Sequence, residues 1–209
     1  FNVDGAAYTF AFWAKRNVIG TTMVVMGHSS TANEQFIRFN TSNEIKVESD
    51  AANDVATITQ NTNDTGWHHY VISISSGTVT AFQDGVSCSV SGDVNGDNLT
   101  INTIGGSGTD GTDYEFNGNI SEIAAYNITL SSSQAKQIYN DGEPFDHKNW
   151  SKTGNLTQWW RMGDGAYDGG HIITDEANLG IGGELSPNIS CDSNVTGWSA
   201  YGSDGSGND

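Results

Sequence analysis

Basic side chains are scarce. The 209-residue chain carries 8 Lys and Arg against 25 Asp and Glu, a formal net charge of −17. A protein that tracks phosphates needs clustered Lys and Arg to release counterions, so nucleic acid and anionic membrane surfaces are poor partners. No apolar run reaches the 18 residues that mark a membrane-crossing helix, so membrane insertion by a helix is not expected. Two cysteines, Cys88 and Cys191, are too few for a disulfide framework or a zinc site, and the pair is either one bridge or two unrelated small side chains. The chain opens on Phe1 and ends in Gly-Ser-Asp-Gly-Ser-Gly-Asn-Asp, which reads as a piece of a longer or processed polypeptide.

What is present is strand. Runs rich in Val, Ile, Thr, Phe, Tyr and Trp are bounded by Gly, Asn, Asp and Ser. They fall at Tyr8–Arg16, Thr21–His28, Gln35–Asn40, Asn43–Ser49, Val55–Gln60, Trp67–Ser75, Thr78–Gln83 and Val86–Ser91. Three more follow at Leu99–Ile104, Tyr114–Ile128 and Thr157–Met162. Turn dipeptides separate them, Asp84-Gly85, Asn95-Gly96, Asp110-Gly111 and Asn117-Gly118 among them, and such pairs supply the positive φ that hairpins need. One stretch differs. Ser131 with Gln134 three residues on forms a capping signature, good helix formers follow, and Gly142 stops the run, which predicts a short helix over 131–140. The pattern as a whole predicts an all-β antiparallel jelly-roll sandwich with one short helix.

A family resemblance rests on ordered pieces of this pattern. They are Thr9-Phe-Ala-Phe-Trp13-Ala-Lys15, then Gly66-Trp-His-His-Tyr-Val71, then Ala81-Phe-Gln-Asp-Gly85, and above all Phe116 to Ser131 with the helix after it. The chain resembles the laminin-G-like branch of the concanavalin A-like lectin/glucanase superfamily over about residues 1–140, in a style similar to phage and marine-microbe versions. The resemblance implies two stacked antiparallel sheets, with Phe116 to Ser131 holding the closing strand. Leu156-Thr-Gln-Trp-Trp160-Arg-Met-Gly-Asp164 resembles the strand that usually opens such a domain. One domain over 1–185, closed by a strand near 157–163, is therefore expected, with 186–209 a linker or the start of a further module; the alternative is that this segment begins a second, truncated module.

Catalysis finds little support among the residues. A retaining glycosidase of this superfamily needs two carboxylates about 5–5.5 Å apart, hence acids at i and i+2 or i+4 of one strand. Glu122 stands alone, and the expected role for it is a rim carboxylate bonding a loop. His68 and His69 point to opposite strand faces and cannot share a metal.

Calcium is the candidate cofactor. Asp93, Asn95 and Asp97 put oxygen side chains at alternate loop positions, and Asp110 with Asp113 form a second possible cluster; solvated acidic turns are the alternative for both. The resemblance also implies calcium at a sandwich rim. For sugars, which stack on exposed aromatic faces, Trp150, Tyr167, Trp198 and Tyr201 fall in loops and are the candidate ligand residues. Trp13, Trp67 and one of Trp159 or Trp160 are expected in the core. Asn-x-Ser/Thr sequons at Asn98, Asn119, Asn127, Asn155, Asn188 and Asn194 owe much to composition.

The function expected is a non-catalytic recognition or adhesion module, extracellular or on a virion surface, with a glycan as partner. The second reading, of another class, is a structural decoration, fibre or assembly subunit of a phage particle or surface filament, touching other subunits. A glycoside hydrolase acting through Glu122 is the remote third.

Overall fold

The computed structural model describes residues 2–3, 7–28, 36–48, 55–94, 99–107, 114–162, 172–173, 175, 177 and 189–190. In chain order the strands begin with β1 (Asn2–Val3), β2 (Tyr8–Arg16), β3 (Met23–Gly27), β4 (Ile37–Phe39), β5 (Ile45–Glu48) and β6 (Val55–Thr59). Next come β7 (Trp67–Ser75), β8 (Thr78–Gln83), β9 (Val86–Ser87), β10 (Ser89–Ser91), β11 (Leu99–Thr100) and β12 (Thr103–Ile104). The last are β13 (Gly118–Tyr126), β14 (Leu156–Trp160), β15 (Ile172–Ile173) and β16 (Ile189–Ser190), with helix α1 (Ser132–Tyr139) between β13 and β14.

Two six-stranded sheets make the jelly-roll sandwich, ordered β14-β13-β2-β7-β8-β9 and β10-β6-β5-β4-β3-β12, and every pairing in them is antiparallel. The chain passes from the edge of one sheet to the edge of the other through a single residue, Cys88, between β9 and β10. Cys88 is half-buried, and Asn61 Nδ2 donates to its sulfur at 3.5 Å. Cys191 lies outside the described residues.

Alternation places the core. Phe10, Phe12, Tyr70 and Ile72 turn inward from the first sheet and meet Ile37, Phe39, Ile45 and Ile58 of the second. Phe12 stacks on Tyr70 at 5.4 Å between centroids, and the edge of Phe39 meets Tyr70 at 5.6 Å, both favourable ring geometries. The intervening residues of β2 are buried as well, because α1 and the segment after it cover the outer face. Ala11, Val71, Phe82, Ala124 and Tyr126 of the sheet pack there against Ala135 and Ile138 of the helix. That second layer is why β2 reads as an unbroken apolar run.

The helix starts where its capping signature sits. Ser131 is the N-cap, the Gln134 amide donates to its hydroxyl, and the Gln134 side chain accepts from the Ser131 amide at 2.8 Å. Asn140 closes the helix in the left-handed conformation, φ 51°. Ser131→Ala removes one half of this reciprocal box. It should cost about 1 kcal/mol and lower the melting temperature by about 2–4 °C, read by thermal denaturation. No change in melting would show that packing alone holds α1 in place.

Candidate functional site

The segment that carries the chain from β2 to β3 and the segment that enters β13 run side by side at the sandwich rim. The Asn17 amide donates to the Asn117 carbonyl at 2.9 Å, and Asn17 Nδ2 donates to Asn117 Oδ1 at 3.1 Å. The Val24 amide donates to the Tyr114 carbonyl at 2.9 Å, and the Phe116 amide to the Gly105 carbonyl at the same distance. Together they enclose an open groove of 660 Å³ walled by Asn17, Val18, Thr21, Thr22, Met23 and the stretch from Tyr114 to Gly118. That volume is the size of a small-ligand cleft.

Tyr114 is the prominent member. Its φ is +52°, a region that bulky residues rarely adopt and that costs of order 1–3 kcal/mol. The residue is 47% exposed. Val18 and Ile19 are exposed on the facing loop. An aromatic face, aliphatic side chains and a border of amides, hydroxyls and the Glu115 carboxylate therefore meet in one groove, the combination that receives a sugar ring and reads its hydroxyls.

Arg16 and His68 each anchor a polar network. Arg16, 2% exposed, donates through Nη2 to Asn63 Oδ1 at 2.7 Å, and its guanidinium lies 4.3 Å from the Phe39 ring centre. His68 Nδ1 is 2.7 Å from Asp84 Oδ2, and its Nε2 is 3.0 Å from Asp64 Oδ1. These bonds, that to Asp84 first, hold the His68 pKa above its ordinary value against the pull of burial. Each ring nitrogen has an aspartate partner, so the imidazole ties Asp64 to the Asp84-Gly85 turn.

Glu122 is not a rim carboxylate. It sits with φ +52° in the bulge between Ser121 and Ala124 of β13 and is 3% exposed. Trp159 Nε1 donates to Oε2 at 2.7 Å and Arg161 Nε to Oε1 at 3.3 Å. The extra residue of the bulge turns this side chain onto the covered outer face, where a charge persists only with such partners.

The expected ligand residues fare unevenly. Trp150 does lie outside the strands, but it is 5% exposed: its indole packs edge-on against Tyr126 and Phe145 and donates Nε1 to Gln137 Oε1 at 3.0 Å. The polypeptide between α1 and β14 folds back over the sheet and seals it, so its face is not available to a sugar. Tyr167, Trp198 and Tyr201 lie outside the described residues. Trp67 is also a correction. Expected in the core, it is 45% exposed, because it begins β7 on the outer face beyond the helix, opposite Lys15 in the register. Trp13 and Trp159 are buried as expected.

Of the calcium candidates, Asp93 is exposed, while Asn95, Asp97, Asp110 and Asp113 lie outside the described residues. Among the described residues no group of three or more His, Cys, Asp or Glu side chains is placed to hold a metal.

The sequence profile of the concanavalin A-like lectin/glucanases superfamily matches residues 1–136, well over half of the chain. The chain belongs to that superfamily. No curated protein matches it. Among solved structures, a candidate carbohydrate-binding protein of Bacteroides ovatus is similar with a TM-score of 0.62 at 16% identity, over 90% of this chain and 56% of that one. The sialidase of Trypanosoma rangeli in complex with sialic acid is similar at a TM-score of 0.50 and 15% identity, over 68% of this chain and 24% of the sialidase. The chain thus spans just over half of the Bacteroides protein and about a quarter of the sialidase, and at these identities the likeness is one of fold. β14, beyond the matched residues, joins the first sheet beside β13 and so extends the superfamily sandwich at its edge.

Proposed function

We propose that this chain is a non-catalytic carbohydrate-recognition module and that the groove beneath Tyr114 receives the sugar. The observation that carries the reading is the backbone twist that holds an aromatic ring out over a cleft bordered by amides and hydroxyls. Membership of a lectin-like superfamily and the fold shared with the Bacteroides ovatus protein support it. Two placements support the absence of chemistry: Glu122 spends both oxygens on Trp159 and Arg161, and His68 spends both nitrogens on aspartates. A module of this kind works where polysaccharides are, outside a cell or on the surface of a particle.

The test is affinity electrophoresis of the chain through gels containing soluble polysaccharides. Tyr114→Ala should weaken binding at least about tenfold, the equivalent of about 1.4 kcal/mol. Its melting temperature should stay near that of the unchanged chain, since the residue is 47% exposed and Ala keeps the Cβ at the same φ. Retardation that survives Tyr114→Ala counts against the groove, and release of reducing sugar by the chain counts against the non-catalytic reading.

A further inference from the structure

We infer that the groove selects uncharged sugars and turns away uronates, sialic acids and sulfated glycans. The inference rests on the carbohydrate reading above and concerns which carbohydrate.

Charge decides it. Of the described side chains that wall the groove, Glu115 is the one acidic or basic residue, and it is exposed. The rest offer amide, hydroxyl, aliphatic and aromatic surface. Protein sites that take a carboxylate or sulfate commonly do so with Arg or Lys, often through the fork of a guanidinium. The two bases nearest in sequence are turned elsewhere. Arg16, adjacent to Asn17, points into the sandwich and is held by Asn63, Asn43 and the Phe39 ring. Lys15 lies on the opposite face of β2, across from Trp67. An anionic sugar in the groove would thus meet one carboxylate, no counter-charge, and the field of a chain carrying −17. A neutral sugar meets donors and acceptors at no electrostatic cost. Like-charge exclusion of this sort is specificity by repulsion.

The experiment runs the full chain through gels containing neutral polymers (arabinan, galactan, mannan and mixed-linkage glucan) or anionic ones (polygalacturonate, hyaluronan and chondroitin sulfate). The expected result is retardation by at least one neutral polymer, lost in Tyr114→Ala and kept in Trp67→Ala, with no retardation by any anionic polymer. Glu115→Lys should gain at least tenfold for an anionic polymer, and the gain should fade as salt is raised. An anionic polymer that retards the unchanged chain, with the effect abolished by Tyr114→Ala, overturns the charge selection while the groove stands as the sugar site. Retardation by no polymer, or retardation indifferent to Tyr114→Ala, overturns the groove as a sugar site and the selection with it.

Discussion

Gly118→Ala should unfold the start of β13 and lower the melting temperature by about 6–12 °C. The residue opens the strand opposite Arg16, at the point where the groove meets the first sheet. A methyl group built there would overlap the Lys15 carbonyl oxygen and stand 2.9 Å from Phe116 Cε1 and 3.0 Å from Arg16 Cα. Two of those three atoms are backbone in the central strand of the sheet, so no rotamer change relieves the overlap. Either β13 moves away from β2 or its first pairs with β2 open. Forced overpacking costs typically 1–3 kcal/mol, and about 3 kcal/mol is expected where the neighbour is backbone. For a chain of this length each kcal/mol is about 2–4 °C. Gly154, with nothing within 4 Å of a Cβ, is the internal control, and Gly154→Ala should leave melting nearly unchanged. Calorimetry on both variants decides the matter: equal melting would mean that the rim relaxes freely around the strand.

Acid should weaken the fold well before the carboxylates titrate. His69 and His147 are both buried at the covered outer face. His69 packs against Trp13 and Tyr139 with Asp84 nearby, and its Nδ1 has no hydrogen-bond partner. His147 hydrogen-bonds with the Tyr126 hydroxyl and packs against Phe145 and Trp159, with Asp146 and Arg161 nearby. Burial drives their pKa values down to about 4 and about 3. The unfolded chain binds these protons near pH 6.5, so it gains stability relative to the fold as pH drops from 6.5 toward 4. At a little under 1.4 kcal/mol per pH unit, the loss is on the order of 3 kcal/mol at His69 and more at His147. His68 works in the other direction. Its pKa is raised, so its contribution is complete below pH 6.5 and is lost as pH climbs through the folded value. Melting temperature should therefore peak near neutrality and fall by about 10 °C or more by pH 4.5. Relief of the −17 repulsion opposes the fall, which is why the slope in a variant matters more than the slope alone. His69→Leu, or His69→Gln if the first folds poorly, should flatten the acid limb. An unchanged limb in both would remove His69 as its cause.

Much of the architecture was legible because it is written in alternation and turn chemistry. Trp67–Ser75 and Thr78–Gln83 form strands at the expected limits, and Asp84 and Gly85 between β8 and β9 take φ +51° and +73°, as an Asp-Gly turn does. The helix was legible from Ser131 and Gln134. Depth was less so. Trp150 looked free because no periodicity surrounds it, yet long-range packing buries it; Trp67 looked buried because its strand is apolar, yet the helix ends short of it. The groove was invisible for a different reason. Tyr114 fell inside a run read as one strand from Tyr114 to Ile128, whereas β13 starts at Gly118 and the four residues before it form the wall of the cleft. A tyrosine at positive φ leaves no mark in composition or spacing.

The position of β2 sets the order in which the molecule can be made. It pairs only with β7 and β13: Tyr8 meets Ile74, and Thr9 meets Tyr126. A ribosome releasing the chain from its amino end therefore exposes Thr9-Phe-Ala-Phe-Trp-Ala before either partner exists. At about 5–20 residues per second, β7 follows only after several seconds, and β13 after several more. A short, uncharged, proline-free segment of high β-propensity is a hazard for aggregation throughout that interval. Soluble yield in a cell should therefore respond to a change in this segment's exposure window, such as that from slower growth at lower temperature, more than to small gains in the stability of the finished sandwich.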